Sequence, residues 1–145
     1  MRFNLGDFYA TNYPGRVRLI LVRHAEAAAG EPDELRPLTP AGRKAAQALG
    51  ARLAARRPQA VVSSPLLRAR QTAEPIARAA GVEAAVDARI APGATLESLR
   101  EAVAALGDPV VAVAHQPDCG EIVLALTGEA APFPPGGVAE LELEP

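Results

Sequence analysis

Arg18-Leu19-Ile20-Leu21-Val22-Arg23-His24-Ala25-Glu26 is the stretch whose reading decides the fold. Leu19 to Val22 is a short, unbroken run of branched apolar side chains, the pattern of a parallel strand buried on both faces. A guanidinium and an imidazole follow at once, where such a strand must end. In open α/β sheets, ligands sit just beyond the carboxyl ends of the strands. Arg23 and His24 in that place can bind an oxyanion and attack it. The chain has only two histidines. The second, His115, closes a matching apolar run, Val110-Val111-Ala112-Val113-Ala114. Two scarce residues in the same structural role point to one site.

Outward from that strand, residues 27–37 read as a loop containing Gly30, Pro32 and Pro37. Thr39 reads as a helix N-cap with Pro40 at the first helical position. That helix is expected to run to Arg57, bury Ala45, Ala46, Leu49 and Leu53, and stop at Pro58. A buried strand over 60–63 precedes a helix over 65–80, kinked at Pro75 and ended by Gly81. A weaker strand covers 82–86. A third helix over 95–106 has Thr95 as its cap and Gly107 as its C-cap. The strand carrying His115 covers 110–114, and a fourth helix 120–127. Residues 138–143 alternate apolar and polar strictly, as an edge strand with one solvated face does. Strands alternating with helices predict an α/β fold, a three-layer αβα sandwich with a mostly parallel central sheet.

At 145 residues the chain is long enough for one independent core. A hydrophobic content of 49% with 22% charged residues is that of an ordinary globular protein. Residues 17–145 are expected to form that single domain, with residues 1–16 as an N-terminal extension. Four of the five aromatics, Phe3, Phe8, Tyr9 and Tyr13, lie in this extension. It reads as an irregular segment packed on the domain, a lid or dimer contact, or a stretch preceding a natural start at Val17. The net charge of −2 argues against nucleic-acid and membrane-surface partners. The single cysteine, Cys119, excludes an intrachain disulfide and fits a reducing compartment. With no apolar run of membrane-spanning length and no signal-peptide pattern at the start, a cytoplasmic protein is expected. The Ala-rich, Lys-poor composition points to a bacterial source. Monomer and homodimer both remain open.

Four elements, in order, carry a resemblance. They are Arg23-His24-Ala25-Glu26, Leu38-Thr39-Pro40-Ala41-Gly42, the stretch Ser64-Pro65-Leu66-Leu67-Arg68-Ala69-Arg70-Gln71-Thr72-Ala73, and His115 at a strand end. The chain resembles the histidine phosphatase superfamily, the phosphoglycerate mutase-like proteins, from about Val17 to about Gly128. It is most similar to the small bacterial phosphohistidine phosphatases of the SixA type. The resemblance implies a phosphoglycerate mutase-like fold and a phosphatase that needs no metal and no cofactor.

It also implies a division of labour among the residues. His24 becomes the nucleophile, which must be neutral to attack phosphorus and forms a phosphohistidine that water then hydrolyses. Nearby cations, Arg23 and Arg68, disfavour the imidazolium and grip the phosphoryl oxygens, since guanidinium matches phosphate geometry. His115 donates to the transferring phosphoryl group and would serve best when charged. The backbone N–H of Gln116 is a further donor candidate. Ser64 and Thr39 read as turn and cap residues, and Arg52, Arg56 and Arg70 as solvated helix arginines. Glu26 and Asp118 are the candidates for an acid or orienting carboxylate, and Glu97 and Glu101 are weaker ones; each reads first as a surface carboxylate. Cys119 reads as a small buried residue. The chain has no cluster at metal-ligand spacing, no cysteine-phosphatase loop and no P-loop.

A missing acid has a chemical consequence. An alkoxide needs a proton to leave, whereas the imidazole of a phosphohistidine leaves readily without a dedicated carboxylic acid. Short connections between elements point to a shallow, open site. The expected substrate is therefore a phosphorylated protein domain bearing phosphohistidine. The alternatives are a small phosphorylated molecule hydrolysed by a broad phosphomonoesterase, and a phosphoprotein-binding module without turnover.

Overall fold

The computed structural model describes residues 16–144, a five-stranded sheet between two helical layers. The aromatic-rich residues 1–15 and Pro145 lie outside the described residues. The strands are β1 (Val17–Arg23), β2 (Ala60–Ser63), β3 (Ala84–Val86), β4 (Val110–Ala114) and β5 (Val138–Leu143). The helices are α1 (Pro40–Ala54), α2 (Leu67–Ala80), α3 (Leu96–Val103) and α4 (Asp118–Thr127). The sheet order is β3-β2-β4-β1-β5. β1, β2, β3 and β4 pair in parallel, and β5 runs antiparallel to β1 at the edge.

The apolar runs explain the layers. Period-two alternation sends Leu19 and Leu21 of β1 to one face of the sheet and Ile20 and Val22 to the other. Ile20 and Val22 pack with Leu49 and Leu53 of α1 and Ala69, Ala73 and Ile76 of α2. Leu19 and Leu21 pack with Leu99 and Val103 of α3, Ile122 and Val123 of α4, and Phe133. β4 is buried at all five positions. Each Val, Leu or Ile so buried contributes roughly 1.5–3 kcal/mol. β5 alternates half-buried and buried residues, as its sequence alternation requires.

The chain reverses direction across the sheet. From β1 it steps through β2 to the β3 edge under α1 and α2, then returns through α3 to lay β4 between β2 and β1. The carboxyl ends of β1 and β4 therefore flank a crevice with one helical layer on each side, where ligands gather in open α/β sheets.

Helix boundaries differ from the sequence expectation for local reasons. α1 stops at Ala54 rather than Arg57, because the residue before Pro58 is disfavoured in the α region; Arg57 sits at φ +52° instead. α2 begins at Leu67 rather than Pro65, after a turn in which the Leu66 amide donates to Ser64 Oγ at 3.2 Å. It runs through Pro75 to Gly81, whose φ of +75° closes the helix in the left-handed region. β3 begins at Ala84 rather than Val82, since the Val82 amide is used at the helix end, donating to the Ala77 carbonyl. α3 ends at Val103, three residues early; Ala105 takes φ +62°, and alanines carry no stop signal in sequence. α4 begins two residues earlier than Gly120, with the Cys119 amide on the His115 carbonyl at 2.9 Å. Two short 3₁₀ turns, Asp33–Leu35 and Ala88–Ile90, interrupt what read as plain loop. Arg16, the last residue of the expected extension, is tied to β5 through Glu142 at 3.0 Å.

Candidate active site

Strand register assembles the site. Arg23 pairs with Ala114 across β1 and β4, so His24 and His115 are the next residues on neighbouring parallel strands. The His24 amide donates to the Ala114 carbonyl at 3.1 Å, and the two rings lie 5.2 Å apart at 57°. On the other side of β4, Ser63 of β2 pairs with Val113, and the Ser64 amide donates to the Val113 carbonyl at 3.0 Å. Three adjacent strand ends thus present Ser64, His115 and His24 at one level. Arg23 is the last residue of β1, and Arg68 lies in the first turn of α2.

His24 is buried, and its Nδ1 lies 2.7 Å from the Ala25 carbonyl oxygen. A carbonyl can only accept, so Nδ1 carries the hydrogen and the lone pair of the neutral ring sits on Nε2. Burial lowers the His24 pKa first of all; the Ala25 hydrogen bond raises it, and the Arg68, Arg23 and Arg36 charges add to the lowering. The ring is therefore neutral at pH 7. The cations act as the sequence reading held, with burial as the larger cause.

His115 departs from expectation. Burial, the His24 ring and the Arg68 charge push its pKa down to about 3. The charged His115 anticipated from sequence is disfavoured here, because burial first, and then the neighbouring positive groups, oppose a further positive charge. Its Nε2 lies 2.7 Å from Ser64 Oγ, and its Nδ1 is buried with no partner among the described residues.

Arg23 donates from one terminal nitrogen to the Phe133 carbonyl at 2.9 Å, while its buried Nε has no partner among the described residues. Arg68 is buried, unlike exposed Arg70 on the same helix. Its guanidinium reaches the Asp33 carbonyl at 2.9 Å and the Asp33 carboxylate at 3.3 Å. Arg36 and then Arg68 hold the Asp33 carboxyl below the usual carboxylate range. Asp33 had no place in the sequence reading; the 3₁₀ turn that brings it there has no strong signature.

The remaining sequence candidates make contacts within the fold. Exposed Glu26 accepts the Thr39 hydroxyl at 2.8 Å, and Thr39 in turn caps α1 through the Gly42 amide at 2.9 Å. A Cβ at Gly42 would lie 2.1 Å from the Glu26 carbonyl oxygen, so only glycine lets α1 approach the β1 end this closely. Asp118 is not a surface carboxylate: it is buried, and its Oδ2 accepts the Gly93 and Ala94 amides at 2.8 and 3.1 Å. The Gln116 side chain folds onto the first turn of α4, accepting the Gly120 amide at 2.7 Å. Buried Thr72 accepts the Ala25 amide at 3.0 Å and donates to the Arg68 carbonyl at 2.8 Å, tying the segment that follows Arg23 and His24 to the helix that carries Arg68. Cys119 is buried, and its thiol pKa is pushed up to about 12 by that burial. Among the described residues no group of His, Cys, Asp and Glu could hold a metal ion, and no helix is long and apolar enough to cross a membrane.

What this arrangement can do is narrow. It offers one imidazole lone pair, two arginines and an orphaned ring N–H or lone pair within one buried cluster, a set suited to an oxyanion beside a nitrogen nucleophile. Comparison with known proteins agrees. Residues 19–94, more than half of the chain, match the profile of the histidine phosphatase superfamily, branch 1. No curated protein sequence matches the chain. Among solved structures, the protein histidine phosphatase SixA complexed with tungstate is 27% identical, with 86% of each chain covered and a TM-score of 0.76. A protein from Agrobacterium tumefaciens named for the SixA phosphohistidine phosphatases is 29% identical over 89% of this chain and 98% of its own, with a TM-score of 0.74. A mycobacterial glucosyl-3-phosphoglycerate phosphatase, 23% identical over 79% of this chain and 81% of its own, shares the fold at a TM-score of 0.63. The chain belongs to the histidine phosphatase superfamily and is a phosphatase.

Proposed function

We propose that this phosphatase works through a phosphohistidine formed on His24 and that its substrate is phosphohistidine displayed on a protein domain. The carrying observation is the Nδ1 hydrogen bond of His24 to the Ala25 carbonyl, which leaves Nε2 as the nucleophilic nitrogen. Beside it, Arg23 Nε and His115 Nδ1 are buried and unpartnered among the described residues. A buried donor left unpaired costs about 1–3 kcal/mol, which a phosphoryl oxygen relieves. Arg23 and Arg68 hold the phosphoryl group, His115 donates to it, and the Gln116 amide adds a donor.

In the first step Nε2 of His24 bonds to phosphorus as the P–N bond of the substrate breaks. The electron pair goes to the leaving imidazole, which takes a proton from water. In the second, water attacks phosphorus, orthophosphate leaves, and the lone pair returns to Nε2.

The state of the carboxylates supports the P–N substrate. Glu26 is engaged by Thr39, Asp118 by two backbone amides, and Asp33 is kept ionised by Arg36 and Arg68. None is poised to protonate an alkoxide. The likeness to two SixA-named proteins points the same way.

The test compares phosphate release from a phosphohistidine-bearing protein domain and from para-nitrophenyl phosphate, both in chelator, with His24→Ala as control. Faster release from the protein, lost in the variant, supports the reading. The reverse preference favours a small-molecule phosphomonoesterase. A stable complex without release favours a binding module.

A further inference from the structure

Ser64 reads from sequence as a turn residue, yet it is wholly buried and touches the ring of His115. Its hydrogen bonds can be accounted for completely. Oγ accepts the Leu66 amide at 3.2 Å and lies 2.7 Å from His115 Nε2; its hydroxyl has no other partner among the described residues. Two arrangements share this geometry. If Nε2–H donated to Ser64, the hydroxyl hydrogen and the Nδ1 lone pair would both be buried and unpaired. If the hydroxyl donates to Nε2, the serine is fully satisfied, and only one polar group of the ring, Nδ1–H, is left without a partner. Buried polar groups are rarely left unpaired, so the second arrangement wins.

We infer that Ser64 is a positioning residue: its hydroxyl, donated to Nε2 of His115, holds the neutral ring as the Nδ1–H tautomer and so keeps a donor ready for a phosphoryl oxygen. The inference rests on the reading of His115 as a phosphoryl donor. It explains how His115 can serve that role uncharged. Proton count, rather than net charge, decides whether the ring donates: a neutral imidazole is a full donor at one nitrogen, provided that the right nitrogen holds the hydrogen. The partner of Nε2 settles which one does. A histidine held in the wrong tautomer by its neighbour keeps its place and loses its function.

The experiment is nitrogen NMR of the His115 ring in the full chain, together with turnover of para-nitrophenyl phosphate. In wild type the ring is expected as Nδ1–H. In Ser64→Ala it should lose that preference and kcat should fall about 10- to 100-fold, with the melting transition retained. Ser64→Thr, which keeps the hydroxyl, should restore both the tautomer and most of the rate, a rescue that simple packing would not give. A wild-type ring found as Nε2–H, or an unchanged tautomer in Ser64→Ala, would overturn the assignment. Full activity in His115→Ala would instead remove the donor role beneath it, an outcome that the NMR reading of wild type keeps separate.

Discussion

The ends of β1 and β4 are built alike and behave differently. Each closes a buried apolar run, each delivers a histidine, and the two rings lie 5.2 Å apart. At the β1 end, His24 Nδ1 faces a carbonyl, which can only accept, so its tautomer is fixed by the backbone. At the β4 end, His115 Nε2 faces a hydroxyl, which can accept or donate, so its tautomer depends on what else that hydroxyl touches. On the roles proposed above, a backbone partner leaves His24 a free lone pair for attack, and a side-chain partner leaves His115 a free N–H to donate. The lesson is that the type of atom beside one ring nitrogen can leave opposite groups free, a lone pair or an N–H, on two identical residues in equivalent places.

This contrast can be broken directly. His24→Ala should lower phosphate release by about 10⁴-fold or more, as expected when a covalent nucleophile is removed. Acid quench of a phosphate-labelled reaction should find label on His24 of wild type and of His115→Gln, and none in His24→Ala; label lodged on His115 would reverse the two roles. His115→Gln should slow release about 10²- to 10³-fold, the usual cost of one transition-state donor.

The next effects concern stability. Gly42→Ala should destabilise the protein by about 1–3 kcal/mol in urea, although alanine is the better helix former, because its Cβ meets the Glu26 carbonyl. An unchanged midpoint would mean that the β1 end tolerates more separation from α1 than its geometry indicates. Both histidines have folded pKa values below the ordinary 6.5, that of His115 at about 3. The unfolded chain therefore takes up protons first as pH falls, and the stability present above pH 6.5 is lost progressively toward pH 3. Between pH 7 and 5 wild type should lose about 1–2 kcal/mol more than His115→Gln in urea unfolding. Equal losses would show that the β4 ring is not held neutral. The smallest effect is expected from Asp33→Asn. Releasing Arg68 from the carboxylate should lower KM for para-nitrophenyl phosphate modestly, without changing which histidine is labelled.

How much of this was legible depends on the range of the signal. The apolar runs of β1 and β4 and the scarcity of histidine placed His24 and His115 at strand ends, because burial on both faces leaves a continuous pattern. Thr39 announced α1, and the alternation of 138–143 announced an edge strand, since capping and half-burial are local. Arg68 was separated from Arg70 only through the surrounding motif; burial itself has no signature in a single arginine. Ser64 and Thr72 were visible as parts of that motif but not as partners of His115 and Ala25, because those contacts join segments distant in sequence. Asp33 was invisible, being carried by a single 3₁₀ turn whose placement is set by tertiary packing. The burial that disfavours a charge on His115 was not legible, because desolvation belongs to the folded chain alone. Asp118 likewise looked like a surface acid until its backbone amide partners, some two dozen residues upstream, came into view.

Cys119 sits under this site with its sulfur closed off by β1 and its thiol pKa near 12, and it is the only cysteine in the chain. Thiolate is the form that peroxide and alkylating agents attack. With its one sulfhydryl buried and held protonated, the chain offers such agents no ready thiolate beneath the two histidines.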